Sequence, residues 1–207
     1  MNGSEEFWEK HYSSREKRQT GKPNAALVRF AESLPVGLAL DLGCAEGNDS
    51  IWLAQRGWRV IAVDISATAL ERAAEKVTSA GVAERIDFQR HDLAESFPEG
   101  EFDLVSAEFL QSPIEFPRAR VLQRAAKSVA PNGLLLVVEH ASVAPWSWAD
   151  PDTIFPAPQQ SLAELELNPG DWTHEFVGAP ERQATGPNGE TATVKDNILA
   201  LRRLKRS

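Results

Sequence analysis

Several acidic residues of this chain stand where short apolar runs end. Leu38-Ala39-Leu40 leads into Asp41-Leu42-Gly43-Cys44-Ala45-Glu46-Gly47, and 23 residues after Asp41 the run Val60-Ile61-Ala62-Val63 stops at Asp64 with Ile65 beside it. A carboxylate ending such a run can accept both hydroxyls of a ribose in a bidentate manner. Gly43 and Gly47 allow the backbone to approach a ligand closely. Together they describe a nucleoside-binding corner. Asp41 and Glu46 also set negative charge where a pyrophosphate would need bare backbone N–H groups. The corner therefore disfavours a dinucleotide and suits a nucleoside that carries an ammonium and a second fixed positive charge.

Other residues could do chemistry nearby. Glu108, with Ala107 before it and Phe109 after it, closes a fourth apolar run, where ligands of parallel sheets sit. Glu108 reads equally as a reactive group and as a charge at a helix N-terminus, and Gln111 is a weaker candidate beside it. His140 follows Glu139 at the end of a fifth run. Of the four histidines it is the best placed to reach a substrate as a base, against the commoner role of a hydrogen-bonded structural residue. Cys44 has no assignable base and sits in the turn itself, so a nucleophile reading is rejected. Trp146, Trp148, Phe155 and Trp172 could line a pocket for a small organic molecule or form ordinary core.

The elements that must position these groups alternate. The runs near 38–40, 60–63, 86–89, 102–106 and 134–138 are short, apolar strands of a buried parallel sheet. Helical stripes lie between them, at about 49–56, at 66–80 behind an N-cap Ser66, and at 121–129 before Pro131-Asn132-Gly133. The pattern predicts an α/β fold, a doubly wound, mostly parallel sheet. Phe7, Trp8, His11 and Tyr12 fall at helical spacing in a polar N-terminal stretch. Prolines crowd residues 141–171, around a helix near Gln159 to Leu167. Two strands, from Trp172 and from Thr191 to Leu201, join across Gly186-Pro187-Asn188-Gly189, a hairpin signal. The chain reads as one domain over 1–207, with an N-terminal lid helix (1–22), a cofactor-binding core (36–140), a substrate-side insert (141–171) and a terminal hairpin (172–204).

Composition narrows the function. The 207 residues carry a net charge of −8, which argues against nucleic acid or an anionic membrane surface as the partner. The single cysteine excludes an internal disulfide framework and fits a reducing, cytoplasmic setting. No run approaches the roughly 18 apolar residues of a membrane span, and no metal-ligand spacing is present. The basic tail Arg202-Arg203-Leu204-Lys205-Arg206 reads as a solvated end.

These motifs resemble the class I S-adenosylmethionine-dependent methyltransferases. More narrowly, Phe7-Trp8-Glu9-Lys10-His11-Tyr12, the run Trp52-Leu53-Ala54-Gln55-Arg56-Gly57 and the Asn188-Gly189 hairpin are similar to the tellurite-resistance and thiopurine methyltransferase group. The resemblance implies a Rossmann-like, seven-stranded sheet of order 3-2-1-4-5-7-6 with strand 7 antiparallel. It implies S-adenosyl-L-methionine as cofactor and S-adenosyl-L-homocysteine as product. Asp41, Gly43, Cys44, Ala45 and Gly47 would hold the methionine part, Asp64 and Ile65 the ribose, Asp92 and Leu93 the adenine, and Ala107 would lie along the cofactor. Asp92 reads alternatively as a turn cap. Trp8 and Tyr12 would close over the site as a lid or simply pack on the sheet edge. Glu108 and His140 are the candidate catalytic residues for transfer to a small-molecule acceptor, in a monomer or homodimer. Two departures stand out: alanine replaces a glycine at position 45, and the stretch matching a family His-Arg pair reads Glu181-Arg182. Rival readings are a cofactor-sensing binding protein without catalysis and a nicotinamide-dependent oxidoreductase, the latter lacking its G-x-G-x-x-G turn.

Overall fold

The computed structural model describes residues 3–15, 21–147, 149–150 and 152–205. In chain order the elements are α1 (Gly3–Ser13), α2 (Ala25–Ala31), β1 (Leu38–Leu42), α3 (Asn48–Gln55), β2 (Arg59–Asp64), α4 (Ala67–Ser79), β3 (Ile86–Arg90), β4 (Phe102–Glu108), α5 (Arg118–Lys127) and β5 (Val129–His140). There follow α6 (Pro158–Glu164), β6 (Trp172–Gly178), β7 (Glu181–Thr185) and β8 (Thr191–Arg203). Asn24 starts α2 by accepting from Ala26 N at 2.8 Å. Ser66 does the same for α4, its hydroxyl accepting from Ala69 N at 3.2 Å.

The strands order as β3-β2-β1-β4-β5-β8-β6, with β7 also on β8. Neighbours from β3 to β5 run parallel, and β8 is antiparallel to β5, β6 and β7. This is the expected doubly wound sheet, with one correction to the strand count. The first arm of the terminal hairpin is two strands, so the sheet has eight. Pro180, which has no N–H to give a ladder, separates β6 from β7. β6 then pairs with the second half of β8, and β7 with its first half.

Both faces of the central strands are buried, which is why they read as continuous apolar runs. Ala39, Leu104, Leu134 and Leu136 face a layer containing Leu27 and Leu53. Leu40, Leu42, Val105, Leu135 and Val137 face Val121, Leu122 and Ala125 of α5. Parallel register has one consequence for the site: it gathers the last residues of β1, β2, β3 and β4 along one edge. The basic tail is a solvated end only in part, with Leu204 and Lys205 exposed. Arg202 bonds Glu175 at 2.6 Å and Arg203 bonds the carbonyl of Val129; Arg206 lies outside the described residues. Among the described residues no helix is long and apolar enough to cross a membrane.

Candidate active site

The turn after β1 is built on backbone geometry. Gly43 and Gly47 hold φ of 73° and 77°, and a β-carbon on Gly43 would come within 2.8 Å of Leu110 Cδ1. Ala45 also adopts positive φ, at 51°, so its methyl does not push the backbone out of this region as its residue type would suggest. Its N–H is aimed at Asp64 Oδ2, 3.0 Å away, and that bond repays part of the roughly 1 kcal/mol of strain. Gly43 N and Cys44 N both donate to Val63 O, at 2.8 and 2.9 Å, tying the turn to β2.

The turn borders a cavity of about 620 Å³, counted with its open mouth. Trp8 and Tyr12 from α1, Gly43, Asp64, Ile65, Asp92, Leu93 and Glu108 line it. Asp41, Cys44, Ala45, Gly47 and Ala107 are not on its surface; they form the layer that shapes it. Asp41 is buried and accepts from Ser50 Oγ at 2.5 Å. Asp92 lines the cavity and also caps its turn, accepting from Ala94 N at 3.0 Å. Its two sequence readings therefore describe one residue. Phe109, Leu110, Gln111, Ser112 and Phe116 complete the other side, and of these only Phe109 and Gln111 were singled out from the sequence. Phe109 has φ of 54°, a strained value for a bulky side chain of the kind that clusters at functional sites.

Burial without a cation dominates the electrostatics. Burial, then the charge of Asp49, pushes Asp41 up to about 7. Burial also raises Asp49, Asp64 and, far more, Glu108. Asp64 accepts from Ser66 N at 2.9 Å as well as from Ala45 N, and Asp49 accepts from Asn24 N at 2.7 Å. Asp49 went unnoticed in the sequence, although the first turn of the helix after a glycine turn is where its signal lies. Burial drives the Cys44 thiol well up, which agrees with discarding it as a nucleophile. Glu46 needs a correction. Against its partial burial, Lys76 at 2.7 Å and Arg72 at 3.3 Å hold it below the usual carboxylate range. Its charge is spent on α4 and does not crowd the turn.

His140 is outside the cavity lining. Its ring stacks on Phe109, centroids 4.3 Å apart, and its Nδ1 lies 3.8 Å from Asp196. The β5–β8 register sets Asp196 directly opposite His140, and Arg182 of β7 bonds the same carboxylate. His140 N donates to Gln111 Oε1 at 2.8 Å. His91 is held by Ser96 and Gln89. Trp146 packs beside Gly186 of the hairpin turn and Trp172 against the α5-side core, so neither lines the cavity. Trp148 lies outside the described residues.

Helix α1 is tied to the sheet. Glu9 accepts from Ser66 Oγ at 2.8 Å and from the N–H and hydroxyl of Thr68, and Glu5 pairs with Arg90. These bonds hold Trp8 and Tyr12 over the end of β2. Among the described residues no three His, Cys, Asp or Glu converge as metal ligands would.

Residues 39–133 match a family described as methyltransferase domain. The chain is 34% identical to a probable thiol methyltransferase 2 of Arabidopsis thaliana, over 57% of this chain and 54% of that protein. It is 26% identical to a 2-heptyl-1-hydroxyquinolin-4(1H)-one methyltransferase of Mycobacteroides abscessus, over 80% of this chain and 72% of that one. The chain thus spans about half the length, or less, of several relatives it matches. The structure of TehB from Haemophilus influenzae superposes with a TM-score of 0.71 at 19% identity, covering 95% of this chain and 67% of that chain, which shows the fold.

Proposed function

We propose that this chain is a class I S-adenosylmethionine-dependent methyltransferase, which transfers a methyl group from that cofactor to a small-molecule acceptor. One observation carries the reading: four carboxylates, Asp41 and Asp64 buried on β1 and β2 and Asp49 of α3 and Glu108 of β4 half-buried beside them, meet no cation among the described residues, next to a turn of positive φ. That donor set fits a nucleoside with an ammonium and a sulfonium. Both oxygens of Glu108 are buried without a hydrogen-bond partner, as a site waiting for a positive group requires.

When bound, S-adenosylmethionine supplies a methyl already activated on sulfur. The chain's own residues then have mainly to align and enclose the reactants. Asp64, held by Ala45 N and Ser66 N, and its neighbour Ile65 would hold the ribose. Leu93 and Asp92 would hold the adenine. Trp8 and Tyr12, latched through Glu9, exclude water. Phe109, Leu110 and Phe116 give the acceptor side an apolar wall, with Gln111 and Ser112 as its hydrogen-bonding groups. His140 works through Phe109: its ring backs the strained aromatic, and Asp196 orients it. The same reading sets the protein in the cytoplasm, where a chain whose single cysteine is buried needs no oxidising compartment.

Apolar walls favour a small, soft or aromatic acceptor over a phosphate-bearing one, and the names of the thiol and hydroxyquinolone relatives point the same way. A panel of hydrosulfide, thiocyanate, small thiols and N-hydroxyquinolones with methyl-labelled cofactor tests this. Label transfer to one of them is expected. Tight S-adenosylhomocysteine binding with no transfer to any acceptor would favour the cofactor-sensing alternative, and NADH binding in its place would overturn the family chemistry for this chain.

A further inference from the structure

Glu108 lines the cavity with its carboxyl against that of Asp49 and the amide of Asn24, and with no cation beside it among the described residues. No donor among the described residues forms a proper hydrogen bond to either oxygen, and both are shut off from solvent. The polar side chains nearest to it are the carboxyl of Asp49 and the amide of Asn24. A bare carboxylate in that position would forfeit its hydration with nothing in return. Two carboxyls side by side share the space only when one keeps its proton.

The titratable groups facing this space come from every element around it. They are Tyr12 of α1, Asp41 of β1, Asp49 of α3, Asp64 of β2, and His91 and Asp92 after β3. Among the described residues no lysine or arginine lines the cavity; Arg15, just after α1, acts on Tyr12, and the nearby Arg72 and Lys76 are bound to Glu46. Burial, followed by the charges of Asp49 and Asp41, drives the Glu108 carboxyl well above its ordinary value. A cation placed in the cavity reverses that balance.

We propose that Glu108 is an ionisable counter-charge, which gives its proton to solvent when the sulfonium cofactor binds and takes one back when the sulfonium charge is lost. The proposal rests on the cofactor reading above. On binding, the O–H bond of Glu108 breaks, its electron pair stays on the carboxylate and the proton goes to buffer. On transfer, sulfur keeps the pair of the broken S–CH3 bond, the acceptor's pair forms the new bond to carbon, and Glu108 takes the acceptor's proton or, where the acceptor carries none, one from solvent. The fixed cation of the substrate complex thus creates a base that the reaction consumes.

Calorimetric titration in two buffers of different ionisation enthalpy counts the protons released. At neutral pH, S-adenosylmethionine is expected to release about one proton more than S-adenosylhomocysteine. Glu108→Gln removes that difference while S-adenosylhomocysteine still binds. Equal release by the two ligands in the native chain, or a difference that survives in Glu108→Gln, overturns the proposal. Should Glu108→Gln not fold, the native chain alone decides. Its preference for S-adenosylmethionine over S-adenosylhomocysteine should rise with pH, approaching about tenfold per unit, and a flat ratio overturns the idea. Failure of both ligands to bind the native chain is a different result, which removes the cofactor reading and this proposal together.

Discussion

The two halves of the sheet treat their acids in opposite ways. In the half from β5 to β8 the buried carboxylates meet cations: Glu139 meets Arg118, and Asp196 meets Arg182, with His140 Nδ1 3.8 Å away. Even the more exposed Glu175 of β6 is held by Arg202. In the half from β1 to β4, Asp41, Asp49, Asp64 and Glu108 meet N–H groups, a hydroxyl or one another, with no ion pair among the described residues. The first arrangement completes the interior, because a buried charge without its partner costs several kcal/mol. The second holds uncompensated acid in place until something positive arrives. Stability and binding are thus assigned to different halves, and each assignment can be tested by removing one residue.

The largest effect should come from the paired half. Arg118→Ala strands Glu139, which is 1% exposed and also holds Ser161 Oγ at 2.7 Å. Chemical denaturation should show a loss of about 3–5 kcal/mol, with S-adenosylhomocysteine affinity nearly unchanged in the folded fraction. A large loss of affinity with stability intact would break the comparison. Next comes Asp64→Ala in the unpaired half, where two charge-assisted bonds to ribose disappear. Affinity should fall about 100-fold, or about 3 kcal/mol, measured by calorimetry. Unchanged affinity would remove Asp64 from the site.

A pH series compares the halves without mutation. A carboxyl raised in the folded state stabilises it fully below its ordinary value, and that contribution is lost as pH climbs through the raised one. For Asp41, at about 7, the loss falls in the neutral range, with Asp64 and Asp49 acting in the same direction. Asp196 and Glu46 are held low; their contributions are complete above the ordinary carboxylate range and stay constant there. The unligated protein should therefore lose on the order of 2 kcal/mol between about pH 5 and about pH 8. Thermal unfolding that is flat or rising over that window would contradict the unpaired character of the first half.

The half that binds was the more legible in the sequence, for a physical reason. Gly43, Gly47, Asp41 and Asp64 announce themselves through local rules: positive φ, a strand end, an apolar run too short to be a helix. Glu46 carried a signal that local rules misread. Its cations, Arg72 and Lys76, lie one helical turn apart on α4, close in space and distant in sequence. The paired half depends almost wholly on register. Nothing near His140 shows that β8 will set Asp196 opposite it, or that Pro180 will divide a strand so that Arg182 reaches the same carboxylate. Trp146 illustrates the opposite error: aromatic composition suggested a pocket, and the fold uses the ring to pack a hairpin turn.

The smallest expected effect is the sharpest test, because its sign differs between the halves. Glu108→Gln removes an acid that the unligated protein, with nothing to offset a charge there, keeps only in its protonated form. The amide keeps nearly the same shape and can donate to the carboxyl of Asp49, replacing a contact that required a trapped proton. The unligated protein should therefore become more stable, by about 1 kcal/mol at neutral pH and more as pH rises. The matching change across the sheet, Asp196→Asn, removes an acid of the same buried kind and should destabilise, because Arg182 loses its counter-charge. Equilibrium denaturation of the two variants side by side reads both signs. A loss in Glu108→Gln equal to that in Asp196→Asn would mean that both acids serve the fold. A gain, paired with weaker binding of the positively charged cofactor, would mean that the β1–β4 half gives up stability in the resting protein to keep a vacant negative charge for its ligand.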